Sequence, residues 1–546
     1  MDRRQFFKEM HPIRPPEDNS GSIRIEALKR KDPRRVQADL TEKTEPLTRK
    51  EAAHLLRRIA INPSLKEIEY YTGKTPQEAI DELLGDGLDH LPENAGRLPN
   101  PEGMLAFIDK PIQNPNTTGT IILRNQLENQ LRSRYNQLVD YLIDLMRTED
   151  LTQGPAVEKP TLFLMSIWNM EFTYDTRGLI APNLLWKNNL SLRKYRLGNY
   201  SDIAKVMTLD GAFLLYQSLQ LSTKSAPNEN FARELMELFT MGIGHYSEGD
   251  IQEASRILTG WRTAPFNNSP HPNGYFETWF SPNDHDVESK QVMGESFPAR
   301  TFAYNNENKV RDEEVFKLVD VLFERRPTAI AEFIMRKFYK FYVYSNPGGT
   351  DDEFITLLSQ RFVDNNFNLR EAYRTLFTSQ HFYDQHYIGS QIKMPVEFTV
   401  GLEKILNANY SDSQNSLRDL EQTIYDPPNV SGWKTYRSWI STVTYPSRVN
   451  HGLAIVQSKT GDEIINICKQ VPAFDDPTQF LDNLTDYLFP VTVSNDRKSR
   501  YFGILYQRGV NASNFGSKIN SNDSGLADNL KELFEAFIKS PDIQLA

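Results

Sequence analysis

The stretch Pro227–Trp261, PNENFARELMELFTMGIGHYSEGDIQEASRILTGW, decides the fold. Asn228 and Asn230 are residues that can cap a helix start, and Pro227 fits just outside one. Phe231, Leu235, Leu238 and Phe239 recur at helical spacing and form one apolar stripe. Asn230, Arg233, Glu234 and Glu237 lie three and four residues apart, so they share a neighbouring face. Gly242 and Gly244 stop the helix, because glycine tolerates the left-handed cap. Ser247 followed by Asp250 has the spacing of a capping box and opens a second helix. Ile251, Ala254, Ile257 and Leu258 are its buried side, and Thr259-Gly260-Trp261 closes the pair with a large anchor. The polar face has two readings. One is an acidic site with Arg233 beside Glu234 and Glu237. The other is an ion-pair network that sets the angle between the helices, since a buried charge needs a partner whether or not it does chemistry.

Upstream, Thr48 with Glu51, Ser64 with Glu67 and Thr75 with Glu78 repeat the capping-box spacing and predict short helices. His54 lies in the first of them and reads as a packed histidine, for it has no partner at ligand spacing. Residues 91–122 read as a loop, 125–148 as a long amphipathic helix, and TLFLMSIWNMEF (161–172) as a buried helix. Residues 200–221 read as two helical pieces joined at Asp210-Gly211. Downstream, 263–305 is rich in Pro, Asn, Gly and aromatics, with Tyr275, Phe276, Trp279 and Phe280 placed for a short strand or hairpin. Within it, Asp284-His285-Asp286 precedes Lys290. A histidine between carboxylates suits an acid–base or metal element, and equally a turn held by Asp side chains. Helices are predicted at 312–326, 328–343, 351–364, 368–379 and 395–407. YDPPNVSGW (425–433) is a rigid aromatic turn, with Tyr436 and Trp439 soon after.

These elements predict a mainly α chain: a multi-helix globular core with long aromatic, Pro- and Asn-rich loops and at most a small β hairpin. The expected division is an extended arm at 1–46, a helical core at 47–458 and a small helical region at 459–546. A net charge of -10 argues against general nucleic-acid binding, which needs clustered positive charge. No apolar run approaches the length of a membrane-spanning helix, so no transmembrane insertion is expected. Cys468 is the sole cysteine, which excludes an intrachain disulfide and cysteine-based metal sites. His381 and His386 are five residues apart and do not share a helical face. No phosphate loop, dinucleotide glycine pattern, zinc helix or nucleophile elbow is present, and neither a metal nor a cofactor is expected. DRRQFFK (2–8) looks like a twin-arginine export motif, but the polar, proline-rich residues after it lack the apolar segment of a working signal. It reads as a remnant or a docking arm, with Arg3, Arg4, Phe6 and Phe7 as the partner-binding residues.

Several segments together resemble the bacterial family known as domain of unknown function 1800, over roughly residues 48–455. They are AAHLLRRIAINPS (52–64), RLGNY (196–200), the 227–261 stretch, HDVESK (285–290), FIMRKFYKFYV (333–343), KMPVEF (393–398) and PPNVSGW (427–433). The resemblance implies a mostly helical protein on the periplasmic side of the cell envelope, with a protein partner resembling a phosphatase or sulfatase. A cytoplasmic location is the alternative. It transfers no activity. The family usually carries a Trp-His-Asn-His-Phe-like segment, and this chain reads Trp168-Asn169-Met170-Glu171-Phe172. Neither Asn169 nor Glu171 replaces a neutral imidazole. The glycine usual in the His-Asp segment is Glu288 here.

The leading expectation is therefore a non-catalytic or weakly catalytic binding or assembly protein that acts with a protein partner. The first alternative is a hydrolase whose site combines Arg233, Glu234, Glu237, His285 and Asp286. The second is a glycan-binding module, in which Trp261, Trp279, Trp433, Tyr436 and Trp439 stack on a ligand or lid the core.

Overall fold

Each capping box predicted from the sequence forms. Thr48 accepts from the Glu51 backbone N–H, and the Glu51 carboxylate accepts in return from the Thr48 N–H at 2.9 Å. Ser64 with Glu67, Thr75 with Glu78 and Ser247 with Asp250 do the same. Each box satisfies helix-end donors that would otherwise lack a partner, stabilising its helix by about 1 kcal/mol. The computed structural model describes residues 39–85, 121–172, 174–175, 178–179, 182–263, 278–300 and 307–546, the side chains of 121–131, 174–175, 178–179 and 183 excepted.

The chain is mainly α. In order, the helices are α1 (Arg49–Ile59), α2 (Leu65–Tyr71), α3 (Pro76–Leu84), α4 (Ile121–Thr148), α5 (Glu158–Ile167), α6 (Pro182–Tyr195), α7 (Tyr200–Thr208), α8 (Gly211–Tyr216), α9 (Glu229–Glu237) and α10 (Glu248–Ile257). Next, α11 (Glu307–Val310) runs through a π turn, Arg311–Phe316, into α12 (Lys317–Arg325). Then come α13 (Pro327–Tyr342), α14 (Thr350–Asp364), α15 (Leu369–Thr378), α16 (Pro395–Ile405), α17 (Ser413–Asp419) and α18 (Thr444–Ser458). The last are α19 (Gly461–Cys468), α20 (Pro477–Leu488), α21 (Asn495–Leu505), α22 (Phe515–Asn520) and α23 (Ser524–Ile538). Among the described residues, β structure is confined to antiparallel pairs: β1 (Tyr174–Asp175) with β2 (Gly178–Leu179), β3 (Trp261–Thr263) with β4 (Thr278–Phe280), and β5 (Lys290–Val292) with β6 (Glu295–Phe297).

Two helix ends differ from the sequence reading. The 161–172 stretch is helical only to Ile167, and Trp168 turns the chain out of the helix at ψ 54°. Burial of the whole stretch hid the stop, because an apolar run has no periodicity to lose. Helix α9 ends at Glu237 rather than at the glycines. A turn follows in which the Met241 and Gly242 N–H groups both donate to the Met236 carbonyl. Gly242 then reverses the chain at φ +80°, pressed against the Phe333 ring.

Residues Ala38–Ala546 form one compact unit. Its aromatic centre lies where α5 meets α13: Phe163 packs edge-on to Phe338 and Phe341 at 5.4 and 5.3 Å, and Tyr342 continues the contact to Tyr373. Helix α16 packs on α4 and α18, and α18 packs on α23. Arg57 of α1 donates to the Asp486 and Tyr487 carbonyls of α20, and Tyr487 returns a hydrogen bond to the Pro63 carbonyl. Residues 459–546 thus contact the first helices as well as the helix before them. The 41–43 segment pairs with 378–380 through the Lys43 N–H to Thr378 and the Gln380 N–H to Thr41. No helix among the described residues is long and apolar enough to cross a membrane.

Charges are buried in pairs. Arg193 of α6 forks onto Glu158 of α5 with both bonds at 2.6 Å, each residue 5% exposed. Breaking such a pair from one side leaves an uncompensated charge in the core. Glu158→Gln is expected to destabilise the protein by about 3 kcal/mol, read as a lowered urea midpoint. Arg193→Met with Glu158→Leu is expected to recover most of that loss. An unchanged midpoint for the single variant would contradict the assignment.

Candidate functional site

Arg233, Glu234 and Glu237 take one set of partners, and His285 and Asp286 take another. Arg233 forks onto Glu248 at the start of α10, at 2.9 and 2.6 Å, and lies 4.0 Å from Glu237. Glu237 accepts a hydrogen bond from the Tyr246 hydroxyl. Glu234, buried, accepts from Asn230 one helical turn back at 2.9 Å. The Arg233 and Glu237 contacts clasp α9 to the loop and helix after it, and the Glu234 bond stays within α9. His285 is 1% exposed, and its Nδ1 donates to the Thr259 carbonyl at 2.9 Å. Its Nε2 stands 3.2 Å from Glu314, which also accepts from the buried Lys290. Asp286 accepts from Arg256 of α10 at 2.8 and 3.2 Å. This second cluster pins the β5–β6 hairpin between α10 and the π turn. Among the described residues no group of three His, Cys, Asp or Glu is placed to hold a metal ion.

The aromatic residues divide likewise. Trp261 is buried at the root of the β3–β4 pair, 5.5 Å from Phe280, and Trp279 pairs with Arg262 across it. Trp433, Tyr436 and Trp439 instead meet around a cavity of about 160 Å³. Its other walls are Leu162, Ser166 and Ile167 of α5, Lys337, Lys340 and Phe341 of α13, and the 391–397 segment with Gln391, Met394 and Glu397. Three segments far apart in sequence, 333–343, 393–398 and 427–433, therefore face one space. Arg3, Arg4, Phe6 and Phe7 lie outside the described residues, as do Tyr275 and Phe276.

Local bonds hold each wall. Asn429 caps its own turn, accepting from Ser431 N–H at 2.9 Å, and Trp433 Nε1 donates to the Thr423 carbonyl at 3.1 Å. Asn169 donates from Nδ2 to the Val430 carbonyl at 2.9 Å. Trp168 stacks on Phe239 at 4.7 Å. Asn169 thus seats the turn that carries Trp433. Gln391 fixes the opposite wall: its Nε2 donates to the Lys340 carbonyl at 2.7 Å, and its Oε1 accepts from Ser345 Oγ at 2.7 Å. Tyr436 has φ +53°, a left-handed backbone that a bulky residue adopts at a cost of about 1–2 kcal/mol. It is held there by Tyr344, ring edge to face at 5.8 Å, and by Arg437 at 5.3 Å over its ring. Strain of this kind concentrates at ligand-contacting sites.

The cavity is electropositive. Lys337 is half-buried with its ammonium 4.8 Å from the Phe333 ring centre, a cation–π contact. Burial first, and then the like charge of Lys340, push its pKa down to about 8. Neither lysine has a carboxylate within ion-pair distance among the described residues. Lys434 pairs with Glu421 at the rim. Glu397, at the base, accepts from the Met394 N–H at 2.7 Å and pairs with the buried Lys159. The sequence reading missed Lys337, Lys340, Gln391 and Glu397. The available signal was a lysine pair three residues apart inside the aromatic run FIMRKFYKFYV, which reads as a core stripe with snorkelling edges.

Gly432 sets the turn at φ +93°, and a Cβ there would lie 3.1 Å from the Ser166 carbonyl and 3.4 Å from Asn169. Gly432→Ala is expected to cost about 1–3 kcal/mol and to shift tryptophan emission as Trp433 moves. Gly294→Ala, at φ +83° with open space around its Cβ, is the control for backbone strain alone. Equal melting shifts without an emission change at Gly432 would show that the turn does not position Trp433.

Comparison with curated proteins and with solved structures found no match. The family model described as "Protein of unknown function (DUF1800)" matches residues 54–545, extending the likeness beyond the 48–455 of the sequence reading. That span is nearly the whole chain, and with it this protein belongs to the DUF1800 family.

Proposed function

We propose that the chain is a non-catalytic binding protein whose aromatic cleft takes an anionic ligand carrying a single ring. The observation that carries this reading is the convergence of Trp433, Tyr436 and Trp439 with Lys337 and Lys340 on one cavity of about 160 Å³. A cavity near 150 Å³ accommodates one benzene-sized ring. Indole and phenol faces stack on sugar or aromatic rings, and two ammonium groups without carboxylate partners supply the counter-charge. The ligand carries a carboxylate or phosphate beside its ring, and of the glycan-binding alternative's Trp279, Trp433 and Tyr436 only the last two are kept.

The hydrolase alternative has weaker support, because Arg233, Glu237, His285 and Asp286 are engaged with partners on neighbouring segments. The protein-partner reading and the cell-envelope setting draw their support from the sequence and its family resemblance.

Titration of the full chain with benzoate and with glucuronate, followed by tryptophan fluorescence, tests the reading. Both are expected to give saturable changes, and the neutral counterparts benzamide and glucose to bind about tenfold or more weakly, the factor that 1.4 kcal/mol of charge-assisted bonding provides. Lys340→Ala is expected to remove most of that discrimination. Equal response to charged and neutral compounds, or none to any, would overturn the proposal.

A further inference from the structure

We propose that Lys337 is a carbonyl-capturing amine, and that the ligand class of the cleft is a ring-bearing anion with an aldehyde or ketone held as an imine on Lys337. The inference rests on the reading of the cleft as an anion site. Its basis is geometric. Lys337 lines the cavity from helix α13, half-buried, against the Phe333 ring rather than a carboxylate. Lys340 lines the same cavity one helical turn on, where it can pair with the ligand's carboxylate or phosphate while Lys337 reacts. The ionisable groups facing Lys337 across the cavity are Lys340, Lys434, Glu397 and Tyr436, and Glu397 is already paired with Lys159. An amine desolvated beside a second cation is the arrangement that activates lysine as a nucleophile. Its lowered pKa of about 8 agrees: roughly a quarter of the amine is unprotonated at pH 7.5, against about 0.1% for an ordinary lysine.

The step balances without any redox partner. The Lys337 lone pair forms a C–N bond to the carbonyl carbon, and the C=O π pair moves to oxygen, which takes the proton that the nitrogen, cationic once bonded, gives up. The carbinolamine then loses its hydroxyl as water, with a proton supplied from solvent, as the nitrogen lone pair closes the C=N bond. Water and a protonated imine are the products. The bond is reversible, so the protein holds its ligand without turning it over.

The test uses the full chain with 4-carboxybenzaldehyde or pyridoxal 5′-phosphate at pH 7.5, trapping the imine with cyanoborohydride and mapping adducts by peptide mass spectrometry. The carboxylate and phosphate probes distinguish the two anionic groups. The expected result is one dominant adduct on Lys337, formed at least tenfold faster than at any other lysine, blocked by excess benzoate and absent in Lys337→Arg. Adducts spread evenly over the lysines would overturn the proposal. Benzoate binding to the wild type with Lys337 unlabelled would overturn it while leaving the anion site standing. Loss of both benzoate binding and labelling would overturn the two readings together.

Discussion

The burial of the Glu397 carboxylate is the constraint on which both the packing and the cleft depend. Lys159 of α5, 1% exposed, pairs with it directly, and Arg58, Lys393 and Arg448 lie in its field, each 3% exposed or less. Burial, reinforced by neighbouring cations, pushes Lys393 down to about 7. Guanidinium groups have no such escape, since they stay protonated, so the carboxylate is indispensable to them. Glu397 also closes the first turn of α16 by accepting from the Met394 N–H. One side chain thus fixes α5 against α16 and caps the segment that forms the base of the cavity.

From that base the cleft is built upward largely by hydrogen bonds to and from the backbone, with the Lys434–Glu421 pair at the rim. The Val396 N–H donates to Gln422, Asn169 reaches the Val430 carbonyl, and Gly432 brings the chain against Ser166. Trp168 and Asn169 are part of this scaffold. Asn169 secures a turn, and Trp168 fills the core against Phe239 and Phe213. Lys337 and Lys340 line the same cavity from α13.

What was legible in the sequence follows from range. Capping boxes such as Thr48–Glu51 and Ser247–Asp250 are complete within four residues, and the structure reproduces them. The break at Asp210-Gly211 was legible for the same reason: Asp210 caps α8 by accepting from the Phe213 N–H. The 161–172 stop was not, because what ends that helix is Trp168 stacking on Phe239, a partner more than seventy residues away. The aromatic turn was visible as a rigid element, but its partners were not. Trp433 meets Lys337 only because α5, α13 and the 391–397 segment pack together, and no local pattern encodes that meeting. Conversely, Arg233, Glu234 and Glu237 read alike as a site or as a clasp, since helical spacing is the same for both, and Arg233 and Glu237 find their partners Glu248 and Tyr246 beyond the helix, where spacing does not reach.

The central claim is that the cleft under Trp433 is where a ligand sits. A crystal structure of the full chain grown with benzoate tests it most directly. The account places the ring against Trp433 and Tyr436, with its carboxylate within hydrogen-bond distance of Lys340 or Lys337. A cleft closed by its own side chains, with benzoate bound elsewhere, would contradict it.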